Sequence, residues 1–178
     1  IFVGRLAIEK GLDQVLAAAK TYPQIEFAVA GDGPGRGLVE KAASTLTNVQ
    51  YLGWLTRDRV LQELDRSEVL LLPSAIESFG TVALEALARK RYVLLRPDSG
   101  IAKWPSLASG LFYINEDESV AETLDRLMAI PTEARDQIAG RSWDAVQDFN
   151  QHTIRQWLGF LADAMDSHRD EYPAHQAA

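Results

Sequence analysis

Glu77 and Glu85 are two carboxylates separated by seven residues, with Gly80 and Thr81 between them. Glu77 follows an apolar run, and Gly80 and Thr81 fall where the next helix is predicted to start. Glu85 lies four residues beyond Thr81 and therefore shares its face of that helix. The N–H groups at a helix start suit a phosphate, and Gly80 lets the backbone approach it closely. The two carboxylates can then accept hydrogen bonds from sugar hydroxyls on either side of the phosphate. The alternative is a helix-capping Glu77 and a surface Glu85.

Two cations, Arg5 and Lys10, fall in the loop after the first apolar segment of the chain. A diphosphate needs such neutralisation when no metal ion supplies it. The alternative is that both are solvated loop charges, as most exposed charges are. Their placement after a strand, like that of Glu77 and Glu85, favours one joint site.

The glycine-rich turn that starts at Gly31 follows a strand and precedes a helix, which is the setting of a dinucleotide-binding fingerprint. The G-x-G-x-x-G spacing fails, because Arg36 or Leu38 stands where the last glycine or alanine is needed, counted from Gly31 or from Gly33. The chain also contains no G-x-x-x-x-G-K-[ST] phosphate loop. The commoner nucleotide-binding motifs are therefore excluded.

Composition limits the class of protein further. The 178 residues are 47% hydrophobic and 24% charged, which is typical of a soluble globular domain. The net charge of −7 disfavours non-specific binding to nucleic acid. The absence of cysteine excludes disulfides and thiol chemistry. The three histidines, His152, His168 and His175, lack metal-ligand spacing, so no metal site is expected. No apolar run is long enough to span a bilayer.

Short apolar runs alternate with amphipathic stretches along the chain. The run at 69–72, closed by Pro73, is typical of a parallel strand buried on both faces. Strands are predicted at 1–4, 26–30, 48–52, 69–72, 92–95 and 111–114. Helices are predicted at 11–20, 38–46, 57–65, 81–89, 120–128, 133–140 and 142–165.

This alternation predicts an α/β fold, a doubly wound parallel sheet of the Rossmann-like kind. Ligands of such sheets bind beyond the carboxyl ends of the strands, so the site is expected in the loops 4–11, 31–35, 53–55 and 73–81. One domain is expected over 1–165, followed by a polar, frayed tail at 166–178. Trp143 and Trp157 have core-like spacing, whereas Trp54, at a sheet end, either packs or stacks on a base. The chain opens inside a strand with no starting Met, and we interpret it as a fragment of a longer protein.

Several motifs occur together in a characteristic order. They are Gly4-Arg5-Leu6, Lys10-Gly11, Gly31-Asp32-Gly33-Pro34, Tyr51-Leu52-Gly53, Leu72-Pro73-Ser74 and the Glu77-x7-Glu85 stretch with Ser78-Phe79-Gly80 inside it. In this order they resemble the donor-binding, C-terminal half of retaining glycosyltransferases with the GT-B fold, glycosyltransferase family 4. The resemblance covers roughly residues 1–165.

The resemblance implies a role for each matched residue. Arg5 and Lys10 would grip the donor diphosphate and stabilise the leaving nucleoside diphosphate. Glu77 would contact the transferred sugar, and these three residues are the expected catalytic set. Glu85 would hold the ribose hydroxyls. The other expected donor-binding positions are Gly4, Gly31 and Gly33, Trp54 and Leu55 beside the base, and Ser78, Phe79, Gly80 and Thr81, of which the last two would offer N–H groups to the phosphates.

The resemblance thus implies the donor-binding domain of a bacterial-type hexosyltransferase that acts with retention in glycan or polysaccharide biosynthesis. Its donor would be a UDP- or GDP-linked sugar, with no cofactor and no metal. The acceptor domain would lie outside this chain, so the chain alone is expected to be inactive. We expect a cytoplasmic protein, with peripheral contact to the inner face of the membrane through the other half. The alternatives are a nicotinamide- or nucleotide-binding Rossmann domain of another enzyme, and a non-catalytic nucleotide-binding module.

Overall fold

The computed structural model describes the backbone of residues 1–171 and the side chains of residues 1–161. The strands are β1 (Phe2–Val3), β2 (Phe27–Ala30), β3 (Val49–Gly53), β4 (Val69–Leu72), β5 (Tyr92–Leu95) and β6 (Leu111–Tyr113). The helices are α1 (Leu12–Thr21), α2 (Arg36–Thr45), α3 (Arg57–Arg66), α4 (Thr81–Leu87), α5 (Val120–Met128) and α6 (Thr132–Glu171). Within the described backbone, three 3-10 helices lie in the connections: Ile8–Lys10, Gly100–Lys103 and Pro105–Gly110.

The six strands form one sheet in the order β3-β2-β1-β4-β5-β6. Every strand pair is parallel, and Phe2 of β1 lies opposite Val29 on one side and Leu71 on the other. The chain winds outward from the centre in both directions, so the order reverses between β1 and β4. This is the doubly wound, Rossmann-like sheet that the sequence predicts, and that prediction is confirmed.

The central strands are buried on both faces. Every residue of β5 is buried, as are Leu70, Leu71 and Leu72 of β4. Helices supply the covering layers, for example through Leu12 and Val15 of α1, which are fully buried. A sheet covered in this way leaves only its ends for a ligand, which confines the search for a site to the loops.

Two helix starts are fixed by side-chain caps. The Thr56 hydroxyl accepts a hydrogen bond from the Arg59 N–H at 3.4 Å, so α3 begins directly after the β3 loop. At α5 the hydroxyl of Ser119 accepts from the Glu122 N–H, and the Glu122 carboxylate accepts from the Ser119 N–H in return. This capping box stabilises a helix whose predicted bounds, 120–128, match the structure.

Helix α6 lacks a break that the sequence predicts near residue 141. The sequence suggested two helices, at 133–140 and 142–165, whereas α6 runs unbroken through Gly140. A glycine inside a helix costs only about 1 kcal/mol relative to alanine, so it does not by itself end one. The helix continues to Glu171, and the rest of the predicted tail lies outside the described residues.

Residues Ile1–Val146 form one compact unit, and the chain from Gln147 forms a second. The core position predicted for two tryptophans is wrong: Trp143 is exposed beside the Lys90 ammonium, and Trp157 is exposed against Phe160, 6.1 Å away between ring centroids. In the described part of the chain, no helix combines the length and the apolar character needed to cross a membrane.

Candidate functional site

The loops after β1, β2, β3 and β4 meet at one edge of the sheet, because parallel strands all end on the same side. The reversal of strand order between β1 and β4 opens the crevice in which ligands of such sheets bind. The residues singled out by sequence all follow these four strands. The fold therefore brings them to one edge of the molecule.

The glycine-rich turn after β2 packs backbone against backbone on the loop after β1. Gly31 has a φ of +139°, and a Cβ there would collide with the carbonyl oxygen of Gly4. Gly33, with a φ of +151°, would place a Cβ 2.7 Å from the Leu6 oxygen. The Leu6 N–H donates to the Asp32 carbonyl at 2.9 Å. These glycines therefore hold two loops of the site together, with backbone conformations that other residues rarely adopt.

The loop after β4, residues 73–80, is held from both sides. On one side the Ala75 N–H donates to the Glu9 carbonyl at 3.1 Å. On the other side the Gly100 N–H donates to the Glu77 carbonyl at 3.0 Å, and the Ile101 N–H donates to the Phe79 carbonyl at 3.2 Å. Backbone hydrogen bonds thus connect the loop after β4 to the loop after β1 on one side and to residues 100–101 on the other. We call these connected segments the backbone frame of Glu77.

Lys10, in the loop after β1, contacts Glu77, in the loop after β4. The Lys10 ammonium lies 3.0 Å from the Glu77 carboxylate and also donates to the Ile76 carbonyl at 3.3 Å. The side chains are 27% and 18% exposed, so each keeps a surface that a ligand can reach. The pair places one positive and one negative group side by side, next to the start of α4. A charged ligand that also carries hydroxyl groups could use both.

Glu85 is held by a residue that the sequence analysis did not select. The Arg57 guanidinium donates from Nε to Oε1 of Glu85 at 2.9 Å. Arg57 is the first residue of α3 and Glu85 lies on α4, so the contact joins the two helices. The only signal in the sequence that could have suggested Arg57 was its position directly after the β3 loop.

Helix α4 begins at the edge of the sheet in the way the sequence predicts. Gly80 is its N-cap, with a φ of +78°, and Thr81 is its first residue. The left-handed conformation explains a glycine at this position, because other residues rarely adopt it.

Two cavities lie along this edge. The first has a volume of about 330 Å³ and the second about 500 Å³. The first is lined by Val3, Gly4, Arg5, Ala30, Gly31, Asp32, Trp54, Leu55 and Val60. The second is lined by Val3, Leu55, Arg57, Val60, Thr81, Val82 and Glu85. They share Val3, Leu55 and Val60, so they form adjacent halves of one groove.

Some of the predicted site residues line the groove. Arg5 and Trp54 line the first half, and Trp54 is 72% exposed, which leaves its ring face accessible. Glu85 lines the second half. In the described residues, neither lining includes Lys10 or Glu77, which pair on the adjoining loop. Sequence reasoning did not select the apolar wall or two polar lining residues; these are Val3, Ala30, Val60 and Val82, and Asp32 and Arg57.

Arg5 is the most solvated of the predicted cations. Its guanidinium lies 3.4 Å from the Glu9 carboxylate, and both side chains are more than half exposed. Such a contact contributes little to stability and leaves Arg5 able to turn toward the groove that it lines. In the described part of the chain, no three His, Asp or Glu side chains converge as metal ligands would.

Solved structures share this architecture. The Helicobacter pylori cholesterol-alpha-glucosyltransferase catalytic domain superimposes with a TM-score of 0.69 at 17% identity, covering 83% of this chain and 97% of that one. The Thermosynechococcus elongatus sucrose-phosphate synthase gives 0.73 at 24% identity, covering 94% of this chain and 46% of that one. Anabaena HepE in complex with UDP gives 0.72 at 20% identity, covering 92% and 48%. The fold is that of the C-terminal domain of GT-B glycosyltransferases.

Sequence comparison defines the family. Residues 1–142 match the family described as glycosyl transferases group 1, and the chain belongs to it. It is 28% identical over 135 residues to the gpi3 subunit of Schizosaccharomyces pombe phosphatidylinositol N-acetylglucosaminyltransferase, covering 72% of this chain and 30% of that protein. It is 30% identical over 110 residues to alpha-D-kanosaminyltransferase of Streptomyces kanamyceticus, covering 58% and 28%. The chain thus spans about 30% of the length of these relatives.

Proposed function

We propose that this chain is the donor-binding domain of a glycosyltransferase that uses a nucleotide sugar in glycan or polysaccharide biosynthesis. One observation carries the proposal: Arg5, Lys10, Glu77 and Glu85 lie together at the edge of the sheet where the strand order reverses. This set offers positive charge for a diphosphate and carboxylates for sugar hydroxyls. Membership of the glycosyl transferases group 1 family supports it.

In this proposal the diphosphate lies beside Arg5 and Lys10. Their positive charge stabilises the nucleoside diphosphate as it leaves, which is where negative charge develops during glycosyl transfer. Glu77, held beside Lys10, accepts hydrogen bonds from the transferred sugar. Glu85 accepts from the ribose hydroxyls at the wall of the groove, and the base lies along Trp54 and Leu55.

We further propose membership of glycosyltransferase family 4, a retaining outcome and independence from metal ions and cofactors. These follow from the motif order of the sequence. UDP is the first donor nucleotide to test because a structural neighbour, HepE, was solved in complex with UDP; GDP is the second. Sugar transfer would need an acceptor domain in addition to this chain, and we place the enzyme in the cytoplasm with peripheral contact to the membrane through that domain.

Titration calorimetry with UDP, GDP, ADP and NAD tests the proposal. We expect binding of UDP or GDP and none of NAD, because the glycine fingerprint for a dinucleotide is broken at Arg36 and Leu38. The change Lys10→Ala should weaken nucleoside diphosphate binding by roughly 1.5–3 kcal/mol, the range for hydrogen bonds to charged groups.

The matched control is Lys20→Ala, which removes an exposed lysine in the last turn of α1, at the opposite edge of the sheet. It should leave the affinity unchanged. Tight binding of NAD without any response to nucleoside diphosphates would favour an oxidoreductase domain instead. Unaltered affinity in the Arg5→Ala, Lys10→Ala double variant would rule out the proposed diphosphate site.

A further inference from the structure

Among the described residues, one ion pair joins helix α3 to helix α4, and a second joins α3 to the turn after α4. Arg57 contacts Glu85 at 2.9 Å, and Asp65 contacts Arg89 at 3.1 Å. Glu85 lies on α4, whereas Arg89 lies in the turn that follows the last residue of α4, Leu87. Arg57 and Glu85 line the second cavity of the groove, whereas Asp65 and Arg89 do not. The same type of contact therefore occurs once at the groove and once away from it.

The pair at the groove is poorly suited to a purely stabilising role. The Arg57 side chain is 78% exposed and Glu85 is 21% exposed. An ion pair with so exposed a partner contributes little to folding, because solvent screens the charges and a long side chain loses conformational freedom. The contact places a guanidinium against one carboxylate at the wall of a cavity. Without Arg57, the Glu85 carboxylate could adopt other rotamers.

We propose that Arg57 is a positioning residue, which holds the Glu85 carboxylate in the orientation that receives the ribose hydroxyls of the donor. This inference rests on the proposed function. The Arg57 Nε donates to Oε1, and the contact engages only this oxygen of Glu85. The other oxygen can accept from a ligand hydroxyl, and its direction is set once Oε1 is fixed. Arg57 thus acts on the ligand through Glu85.

The geometry of the contact predicts which substitutions of Arg57 keep the Glu85 carboxylate in position. The contact is a single hydrogen bond rather than the two-pronged pairing in which arginine and lysine are not interchangeable. Lysine should therefore replace Arg57 with little loss, whereas alanine should not. Arg89→Ala removes the second ion pair together with the hydrogen bond from Arg89 to the Leu61 carbonyl at 3.3 Å, so it is a demanding control for any loosening of α3 against its neighbour.

The experiment measures dissociation constants for UDP and 2′-deoxy-UDP, or for GDP and 2′-deoxy-GDP if GDP is the nucleotide bound. The ratio of the two constants reports contact with the ribose 2′-hydroxyl and is insensitive to general loss of stability. We expect the unmodified chain to prefer the ribonucleotide by about tenfold, the effect of losing one charge-assisted hydrogen bond. Thermal unfolding of each variant checks that it is folded.

In Arg57→Ala the preference should fall to about twofold, because UDP affinity should drop about fivefold while the affinity for 2′-deoxy-UDP stays unchanged. Glu85→Gln should show the same loss of preference. The double variant Arg57→Ala, Glu85→Gln should be no worse than Glu85→Gln alone, because Arg57 acts through Glu85. Arg57→Lys and Arg89→Ala should both keep the preference.

The outcomes separate this inference from the proposed function. Failure of the unmodified chain to bind any nucleoside diphosphate would overturn both. Binding with an unchanged ribose preference in Arg57→Ala would overturn the role of Arg57 alone. An additional loss of affinity in the double variant would show that Arg57 contacts the ligand directly, which also contradicts a positioning role. Equal losses in Arg57→Ala and Arg89→Ala would assign both residues to helix packing.

Discussion

Glu77 is held by two different interactions, and they have different consequences for binding. Its backbone carbonyl accepts from Gly100, which fixes the loop, while its carboxylate contacts Lys10 at 3.0 Å. Replacing only the carboxylate therefore leaves the backbone frame in place. The substitution tests the charge of Glu77 without removing the loop that carries it.

We expect Glu77→Gln to keep nucleoside diphosphate affinity within about threefold, because Lys10 keeps its charge and loses only a partly exposed partner. Binding of the matching sugar nucleotide should weaken by roughly tenfold, since the carboxylate is assigned to the transferred sugar. Paired titrations with both ligands measure this difference. Glu40→Gln, which removes an exposed ion pair with Arg36 on α2, is the control and should alter neither. Equal losses for both ligands would show that Glu77 does not contact the sugar.

Gly31 and Gly37 lie six residues apart but meet different surroundings. We expect Gly31→Ala to destabilise the fold by roughly 2–4 kcal/mol, because its Cβ would collide with the Gly4 carbonyl and its φ is +139°. Gly37→Ala should stabilise by up to about 1 kcal/mol, because Gly37 lies in helix α2 and a new Cβ would meet nothing within 4 Å beyond the adjacent helix backbone. Urea unfolding of the two variants measures both changes. Similar values would contradict the close approach of the two loops.

Among the single elements, helix α5 is held to β6 and to the loop between them by Arg126, which contacts Glu118 of that loop. The Arg126 guanidinium donates to both oxygens of this carboxylate, at 3.1 and 2.9 Å, and also donates to the Tyr113 carbonyl. Arg126, together with the Asn115 backbone N–H, lowers the pKa of Glu118 below its ordinary value. The connection from β6 into α5 is therefore stabilised by an ionised carboxylate.

This arrangement makes the stability of α5 dependent on pH. A carboxyl group whose pKa is lower in the folded protein stabilises it above the ordinary glutamate pKa of about 4.3, and the contribution disappears as the pH falls through the folded value. The difference in unfolding free energy between the unmodified chain and Glu118→Gln should thus be largest near neutral pH and shrink below about pH 4. Urea unfolding between pH 3 and pH 7 measures it. The same difference should be small in an Arg126→Gln background; a full effect there would show that Arg126 is not its cause.

At the scale of the whole molecule, the site presents its ligand groups along an open groove rather than in a closed cavity. The aligned stretches of 135 and 110 residues make up only 30% and 28% of the relatives with which the chain shares 28% and 30% identity, so those proteins are each more than twice its length. In the proposed function this chain supplies the donor side, and the acceptor side comes from another domain. Donor binding and sugar transfer should therefore be separable by experiment.

We expect the chain alone to bind a nucleoside diphosphate and to transfer no sugar from UDP- or GDP-linked donors, even at high concentration. A longer protein that adds an acceptor domain before this chain should transfer sugar. Release of nucleoside diphosphate in a coupled assay, with and without acceptor, measures this. Transfer by the chain alone would show that the residues of this sheet edge suffice for catalysis, and the division between two domains would be wrong.

Local patterns in the sequence predict the secondary-structure elements and the loops that carry the candidate site. The apolar run of β4 and the amphipathic stretches between strands are local patterns, so the alternation and the parallel sheet could be predicted. Parallel strands end on the same side, which placed Lys10, Glu77 and Glu85 at one edge. The prediction that a helix ends at Gly140 is wrong, because the free-energy cost of a glycine inside a helix is too small to end α6.

Which groups contact each other becomes visible only in the folded chain. Lys10 and Glu77 are 67 residues apart, and Arg57 and Glu85 are 28 apart. Their contacts depend on the order of strands in the sheet and on the way neighbouring loops pack, and neither follows from residue type or periodicity. The collision that a Cβ on Gly31 would cause depends in the same way on the β1–β2 register. Side-chain chemistry is local to the chain, but ion pairs and close contacts require distances that only the folded backbone sets.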